Sequence, residues 1–310
     1  MPRRPEGEGR AIQSVYFLYV GMSAVARWLP ESFTYRLAAW VGGVAARRSK
    51  KRGQVARNLS RIVGRSADSP EVQALVVEAF RSYTRYWLET FRLVREDADF
   101  FLERFRAPTQ ENVFGPARDG RGVVVVIGHL GNWDAAGAWV AANGFRLVTV
   151  AEVLKPRRMF DFFIQHRARL GMTIYPAEKG VTSRLIEDVR AGAVVAILGD
   201  RDLKGTGPEA TFFGDRATFP GGAASMVIET GAALVVAGVY ATTRDGKPGW
   251  DAVITPPLDT ATPEGVEKGS REHVAAVTRA IAKELEVAIA RRPEEWHVFQ
   301  PFWISDRVSA

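Results

Sequence analysis

The chain has 310 residues, 46% of them hydrophobic, and 42 Lys plus Arg against 35 Asp plus Glu leave it with a net charge of +7. That is ample apolar material for one large α/β domain or two small ones and too much for a disordered chain, while the positive balance suits an anionic partner such as phospholipid, nucleic acid or a phosphorylated carrier. Cysteine is absent, which excludes structural disulfides, thiolate metal sites and cysteine nucleophiles.

Residues 1–10, MPRRPEGEGR, read as a mobile charged tail. The stretch Ala11 to Ala26 has no charged residue, yet it falls short of the roughly 20 residues needed to cross a bilayer and lacks a convincing small-residue cleavage site before the next apolar segment. Its pattern fits a helix lying on a membrane surface, and it equally fits an ordinary buried helix. Pro30 ends this helix, and Ser32 is expected to cap a second one. The second helix runs on into RRSKKRGQVARNL, where Arg47, Arg48, Lys50, Lys51, Arg52 and Arg57 crowd into eleven positions. Such a run is usually a solvated helix end; beside Trp28, Tyr35 and Trp40 it also has the composition of an anchor on anionic lipid, each basic residue near the surface adding about 1 kcal/mol. A further helix is predicted from about Pro70 to Leu93, with Phe80, Tyr83, Trp87 and Phe91 as a core-facing stripe.

From Gly122 the texture changes to strands alternating with helices. Strands are predicted at Val123 to Ile127, LVTVAEV, MTIYP and VVAILGD, with helices at Asn132 to Ala142, Pro156 to Leu170 and Thr182 to Arg190 between them. A Gly-rich loop follows, then a helix near Gly221 to Thr230, the strand ALVVAGVY, a strand near Trp250 to Ile254 and a long helix at roughly Gly269 to Ala290. This order predicts an α/β fold, a central and mostly parallel sheet flanked by helices, with membrane-associating helices at the N-terminus. Residues 11–310 form a single domain in this reading, its helical membrane-contacting part covering about 11–110. In sheets of this type ligands gather outside the carboxyl ends of the strands, and His129, Glu152 and Asp200 each follow a predicted strand.

The stretch GHLGNWD places His129 at the end of a valine strand and Asp134 five positions later. Five residues apart on a helix the two would diverge, since each residue turns the axis by about 100°. They cooperate if His129 lies on the strand-to-helix loop and Asp134 in the first helical turn, with Gly128 and Gly131 permitting the bend. Asp134 then fixes the imidazole tautomer and leaves the other ring nitrogen as a general base. The plain alternative is a loop histidine with a helix-dipole partner. No G-x-S-x-G elbow occurs in the chain, so the attacking group belongs to a substrate and no covalent enzyme intermediate is implied.

GHLGNWDAAG resembles the H-x4-D block of the glycerolipid acyltransferase superfamily, in the form carried by the bacterial lipid A late acyltransferases. RGQVARNL, the loop from Asp200 through Leu234 and RRPEEWHVFQPFW resemble that family's other blocks in the same order, over about residues 11 to 304. AEVLKP, HRARLG, DRDL and WHVFQPF are most similar to the actinobacterial phosphatidylinositol mannoside acyltransferases. The resemblance implies the following: a glycerol-3-phosphate acyltransferase-like fold; acyl-CoA as co-substrate, with no cofactor and no metal; and transfer of a long acyl chain, palmitoyl by analogy, to the 6-hydroxyl of the mannose on the 2-position of inositol. It further implies His129 as base, Asp134 as its orienting partner, and Glu152, Arg167, Asp200 and Arg201 along the polar substrate site, on the cytoplasmic face of the inner membrane. The related enzymes usually carry Glu where this chain has Asp200, one methylene shorter.

Other features have plainer readings. Lys155, Arg157 and Arg158 form either a phosphate contact or a solvated first helical turn, and Asp200, Arg201 and Asp202 either a substrate contact or a buried ion network. The glycines of DLKGTG and FPGGAAS lack the Gly-Lys-Ser/Thr ending of a P-loop and are read as turns. The small residues Ala135, Ala136, Gly137, Ala138, Ala141 and Ala142 offer either a packing face or the wall of a lipid tunnel beside His129. His166, His273 and His297 are read as structural. The competing functions are transfer to lipid A or another glycolipid, a metal-dependent phosphoesterase, for which four histidines supply too few ligands, and a non-catalytic lipid-binding protein. Nucleic acid is not expected, because no aromatic-interleaved basic strand or recognition helix is evident.

Overall fold

The computed structural model describes residues 28–307 together with 17, 19–21, 23, 24 and 26. The tail at 1–10 and most of the stretch 11–26 lie outside the described residues, and those of the stretch that are described are helical. Helix α1 (Glu31–Arg48) begins on Pro30, an extended residue with no side-chain cap, so Ser32 sits inside the helix instead of capping it. Proline wins the boundary because its fixed φ is already helical and its missing N–H would have been unpaired there in any case. The basic run is broken: Ser49 is extended, and helix α2 (Arg52–Val63) starts afresh and ends on Gly64 in the left-handed region. Helix α3 (Pro70–Leu93) follows the expected limits, with Ser69 accepting a hydrogen bond from the Val72 amide and Pro70 at the first position. Helices α1, α2 and α3 pack around Ala46, Val55, Leu59, Val72, Val76 and Phe80.

A short helix α4 (Ala98–Arg104) leads into the edge strand β1 (Phe105–Arg106) and helix α5 (Glu111–Arg118). The alternating part then comprises β2 (Val123–Ile127), α6 (Trp133–Ala142), β3 (Leu147–Ala151), α7 (Arg157–Arg169), β4 (Met172–Pro176), α8 (Val181–Arg190) and β5 (Val194–Leu198). The Gly-rich segment after it contains a hairpin, β6 (Glu209–Phe212) and β7 (Asp215–Thr218), where only a loop was expected. Helix α9 (Gly222–Thr230), strands β8 (Ala233–Arg244) and β9 (Lys247–Ile254), helix α10 (Arg271–Arg291) and the short α11 (Ile304–Arg307) complete the chain.

The main sheet has the order β1-β9-β8-β2-β5-β3-β4, parallel except where β9 runs antiparallel to β8. Central strand β2 is buried on both faces, which is why it reads as an unbroken valine run. Val124 and Val126 pack under α8, α9 and α10, while Val123, Val125 and Ile127 face α4, α5 and α6, as the period of two requires. Strands β2 and β5 are hydrogen-bonded neighbours, with Ile127 opposite Leu198, so the residues just past their carboxyl ends emerge side by side. None of the helices, among the described residues, is long and apolar enough to cross a membrane.

Candidate active site

His129 lies two residues past β2 and Asp200 two residues past β5, and the strand register brings them into contact. The His129 Nδ1 atom is 2.6 Å from Asp200 Oδ1, and the His129 backbone amide donates to Asp200 Oδ2 at 2.8 Å. Asp200 is fully enclosed, and its Oδ2 also accepts the Trp296 indole N–H at 2.9 Å. Burial alone would raise its pKa; the His129 charge, the His129 hydrogen bonds and the Trp296 donor outweigh burial and hold the carboxyl below its usual range. An ionised carboxylate only accepts, so Nδ1 carries the imidazole proton and Nε2 is left with its lone pair. His129 is half-buried on the wall of a cavity, with the Trp133 ring edge-on at 5.4 Å.

Asp134 occupies a different network. Arg167 Nε donates to its Oδ1 at 2.5 Å, while Tyr86 Oη, Thr90 Oγ1 and Arg167 Nη2 donate to Oδ2 at 3.0, 3.4 and 3.4 Å. The structure therefore departs from the expectation that Asp134 orients the histidine: in this geometry the partner of the ring is Asp200. The physical reason is the loop. Gly131 takes φ +62°, where an added Cβ would run into the Val239 carbonyl oxygen, and Asn132 caps α6 by accepting from the Ala135 amide at 3.0 Å. The cap starts the helix immediately before Trp133, and Asp134 is carried round to face α3 and α7. Burial is the largest single influence on Asp134 and would raise its pKa, but Arg167, the His166 charge and the Tyr86 hydroxyl together outweigh it and hold the carboxyl below its usual range; the neighbouring Tyr86 hydroxyl is pushed well above its ordinary value by burial and by the Asp134 charge.

The remaining expected residues share the same cavity. Glu152, exposed just past β3, Arg167 and Arg201 all line it with His129 and Asp134. Arg201 does not join Asp200 and Asp202 in an ion network. With the Gln300 amide oxygen turned toward it, Arg201 donates from Nε and Nη2 at 2.6 and 3.1 Å, whereas Asp202 accepts from the Lys204 and Gly207 amides. Arg157 pairs on the surface with Asp161 and Glu178, the plain reading of that basic turn. Among the described residues no group of three or more His, Cys, Asp or Glu side chains converges as a metal site.

The cavity has a volume of about 1390 Å³, above the roughly 300–1,000 Å³ of sites for drug-sized ligands. Its wall is largely apolar: Ile127 and Leu198 lie near the dyad, Val125 and Ala196 deeper, and Leu147 and Val194 deeper still on the same sheet face, with Ala136 and Gly137 of α6 opposite. Of the stripe on α3, Phe80 and Phe91 are buried, whereas Tyr83 and Trp87 are half-buried, and all four line the cavity. Sequence reasoning missed Tyr86, Glu89 and Trp296. Glu89, 5% exposed, accepts from Asn132 Nδ2, Trp250 Nε1 and the Tyr35 hydroxyl, and so ties α3 to the catalytic loop. The one signal for it was a carboxylate inside an apolar helical stripe.

The model of the bacterial lipid A biosynthesis acyltransferases matches residues 9–305. The chain belongs to this family. It is 34% identical to the phosphatidylinositol mannoside acyltransferase of Mycolicibacterium smegmatis over 91% of this chain and 89% of that one. To the phosphatidylinositol mannoside acyltransferase of Mycobacterium tuberculosis it is 33% identical over 99% of this chain and 93% of that one. The His129–Asp200 contact beside an apolar cavity thus belongs to an acyltransferase.

Proposed function

We propose that this acyltransferase moves a long acyl chain from acyl-CoA to a mannose hydroxyl of a phosphatidylinositol mannoside, with His129 as general base. The observation that carries the reading is the His129–Asp200 contact at the mouth of an apolar chamber. Asp200 lies six residues beyond Val194, up to about 20 Å at roughly 3.3 Å per extended residue, whereas an acyl chain fills about half of a hydrocarbon core some 30 Å thick. A long chain therefore has room to lie along the sheet with its thioester carbon beside the imidazole.

A sugar hydroxyl ionises far above neutrality, so it gives up its proton as it attacks. His129 Nε2 takes that proton while the sugar oxygen bonds to the carbonyl carbon. The tetrahedral intermediate collapses with cleavage of the carbon–sulfur bond, and the proton on the imidazolium goes to the departing CoA thiolate. Of the amides around the start of α6, that of Gly131 donates to the Glu295 carbonyl and that of Ala135 to the Asn132 side chain, so neither is free for an oxyanion. Arg167, held rigid by Asp134 on the cavity wall, is the group we assign to the developing negative charge. Glu152 and Arg201 are assigned to the polar part of the acceptor.

The same reading puts the enzyme on the cytoplasmic face of the inner membrane. Exposed Phe33, Trp40 and Val41 on α1 stand beside Arg47, Arg48, Lys50 and Lys51, an apolar and cationic combination suited to anionic lipid. The test is acyl transfer from labelled palmitoyl-CoA against a panel of glycolipids: labelled phosphatidylinositol mannoside is expected, and label only in a lipid A precursor, or in no glycolipid, would overturn the proposal.

A further inference from the structure

We infer that Trp296 is a positioning residue for the reaction, its backbone strapping the loop that bears His129 and its indole N–H fixing the carboxylate of Asp200; this rests on the base role proposed above. The segment Glu295–His297 runs antiparallel beside His129–Gly131. The His297 amide donates to the His129 carbonyl at 2.7 Å, the Gly131 amide donates to the Glu295 carbonyl at 3.0 Å, and Leu130 and Trp296 form a bridge between them. From the middle of this strap the indole reaches the third point on Asp200. The other two donors both belong to His129, so without Trp296 the carboxylate would be oriented only by the residue it is meant to orient.

The terminal torsion of an aspartate is broad, and a donor from a separate, immobile element is what narrows it. Trp296 is such an element. It is 3% exposed and wedged in an aromatic cluster with Phe302, Trp303 and Phe212 at 5.0, 6.1 and 6.2 Å between ring centres. Two groups on the strap itself are shifted: burial, then Arg85, pushes His297 down to about 3, leaving it neutral where the enzyme works, and burial raises the Glu295 carboxyl above its ordinary value.

Trp296→Phe keeps a ring in the cluster and removes the donor. We expect kcat to fall about tenfold with KM within about twofold, as loss of one hydrogen bond to a charged group predicts. The acid limb of the pH–rate profile, and the His129 titration followed by NMR without substrate, should both move to higher pH, because a less stabilised carboxylate holds the imidazolium proton more tightly. Trp303→Phe is the matched control: Trp303 is fully buried in the same cluster and its indole donates to the Phe212 carbonyl at 2.7 Å, away from Asp200. It should lose stability and leave both pH readouts in place. If Trp296→Phe does not fold, benzothienylalanine at position 296, with sulfur in place of the N–H, gives the same measurement. A Trp296 variant with the parent profile and titration, or a Trp303 variant that shifts them equally, would overturn the inference. Failure of the base role would show as activity in His129→Ala, a result independent of the His129 titration in the Trp296 variant.

Discussion

Two aspartates with different partners divide the labour at the residue scale. Asp200 fixes the imidazole, and Asp134 fixes Arg167. Asp200→Asn would turn an acceptor-only group into one that donates, reverse the favoured tautomer and lower kcat by at least about two orders of magnitude with the fold intact, a difference seen by comparing turnover with thermal melting. Asp200→Glu tests the shorter side chain. Asp200 has no exposed surface and its Oδ2 lies 3.5 Å from where a Cβ on Gly128 would stand, so an extra methylene is expected to destabilise the protein by about 1–3 kcal/mol and to lower activity as well. Asp134→Ala strands the Arg167 guanidinium in a largely buried site, and removal of one member of such a pair destabilises by about 3–5 kcal/mol. Denaturant melts should show that loss, and replacing Arg167 by Met as well should recover part of it.

At the scale of elements, the proposed function makes the chamber between the sheet and α6 the place where chain length is read. Ala196 is only half-buried at the centre of a strand because it faces the empty space, so Ala196→Leu fills volume without displacing packed neighbours. Transfer of the longest acyl chains should fall relative to shorter ones in a competition among acyl-CoA substrates, with melting temperature unchanged. Elements whose starts carry a breaker or a cap were legible: Gly122 precedes β2, Gly171 precedes β4 and Ser69–Pro70 opens α3, and all three fall within the expected limits. The β6–β7 hairpin was hidden, since its turn runs through Phe213 at φ +49° and Gly214 inside a segment whose many glycines already read as loop. Strand ends and the family blocks pointed to His129, Glu152, Arg167, Asp200 and Arg201, and the fold brings four of them to one cavity with Asp200 behind His129. The pairing of His129 was not legible, because proximity in sequence favours Asp134 whereas strand register, a long-range property, delivers Asp200.

For the molecule as a whole, buried ionisable groups set its response to acid. His297 falls to about 3 in the folded protein from 6.5, so the unfolded chain binds its proton more tightly and stability declines as pH drops from about 6.5 toward 3. Asp134 and Asp200 are lowered too; their stabilisation is complete above the ordinary aspartate value near 3.9 and is lost as pH falls through their folded values. These three act in one direction and Glu295, whose carboxyl is raised by burial, acts in the other, so the expected record is a decline in melting temperature below pH 6.5 that is smaller in His297→Gln than in the parent. The net charge of +7 and the basic residues at the end of α1 predict binding to anionic vesicles that weakens with salt, and replacement of Arg47 and Lys50, which do not line the cavity, by Gln should reduce it without altering turnover on detergent-dispersed acceptor. In the proposed mechanism catalysis rests on one imidazole. The most direct measurement is turnover of folded His129→Ala on labelled palmitoyl-CoA and phosphatidylinositol mannoside. A loss of at least about a hundredfold agrees with general-base transfer, and activity within a few-fold of the parent enzyme would contradict it.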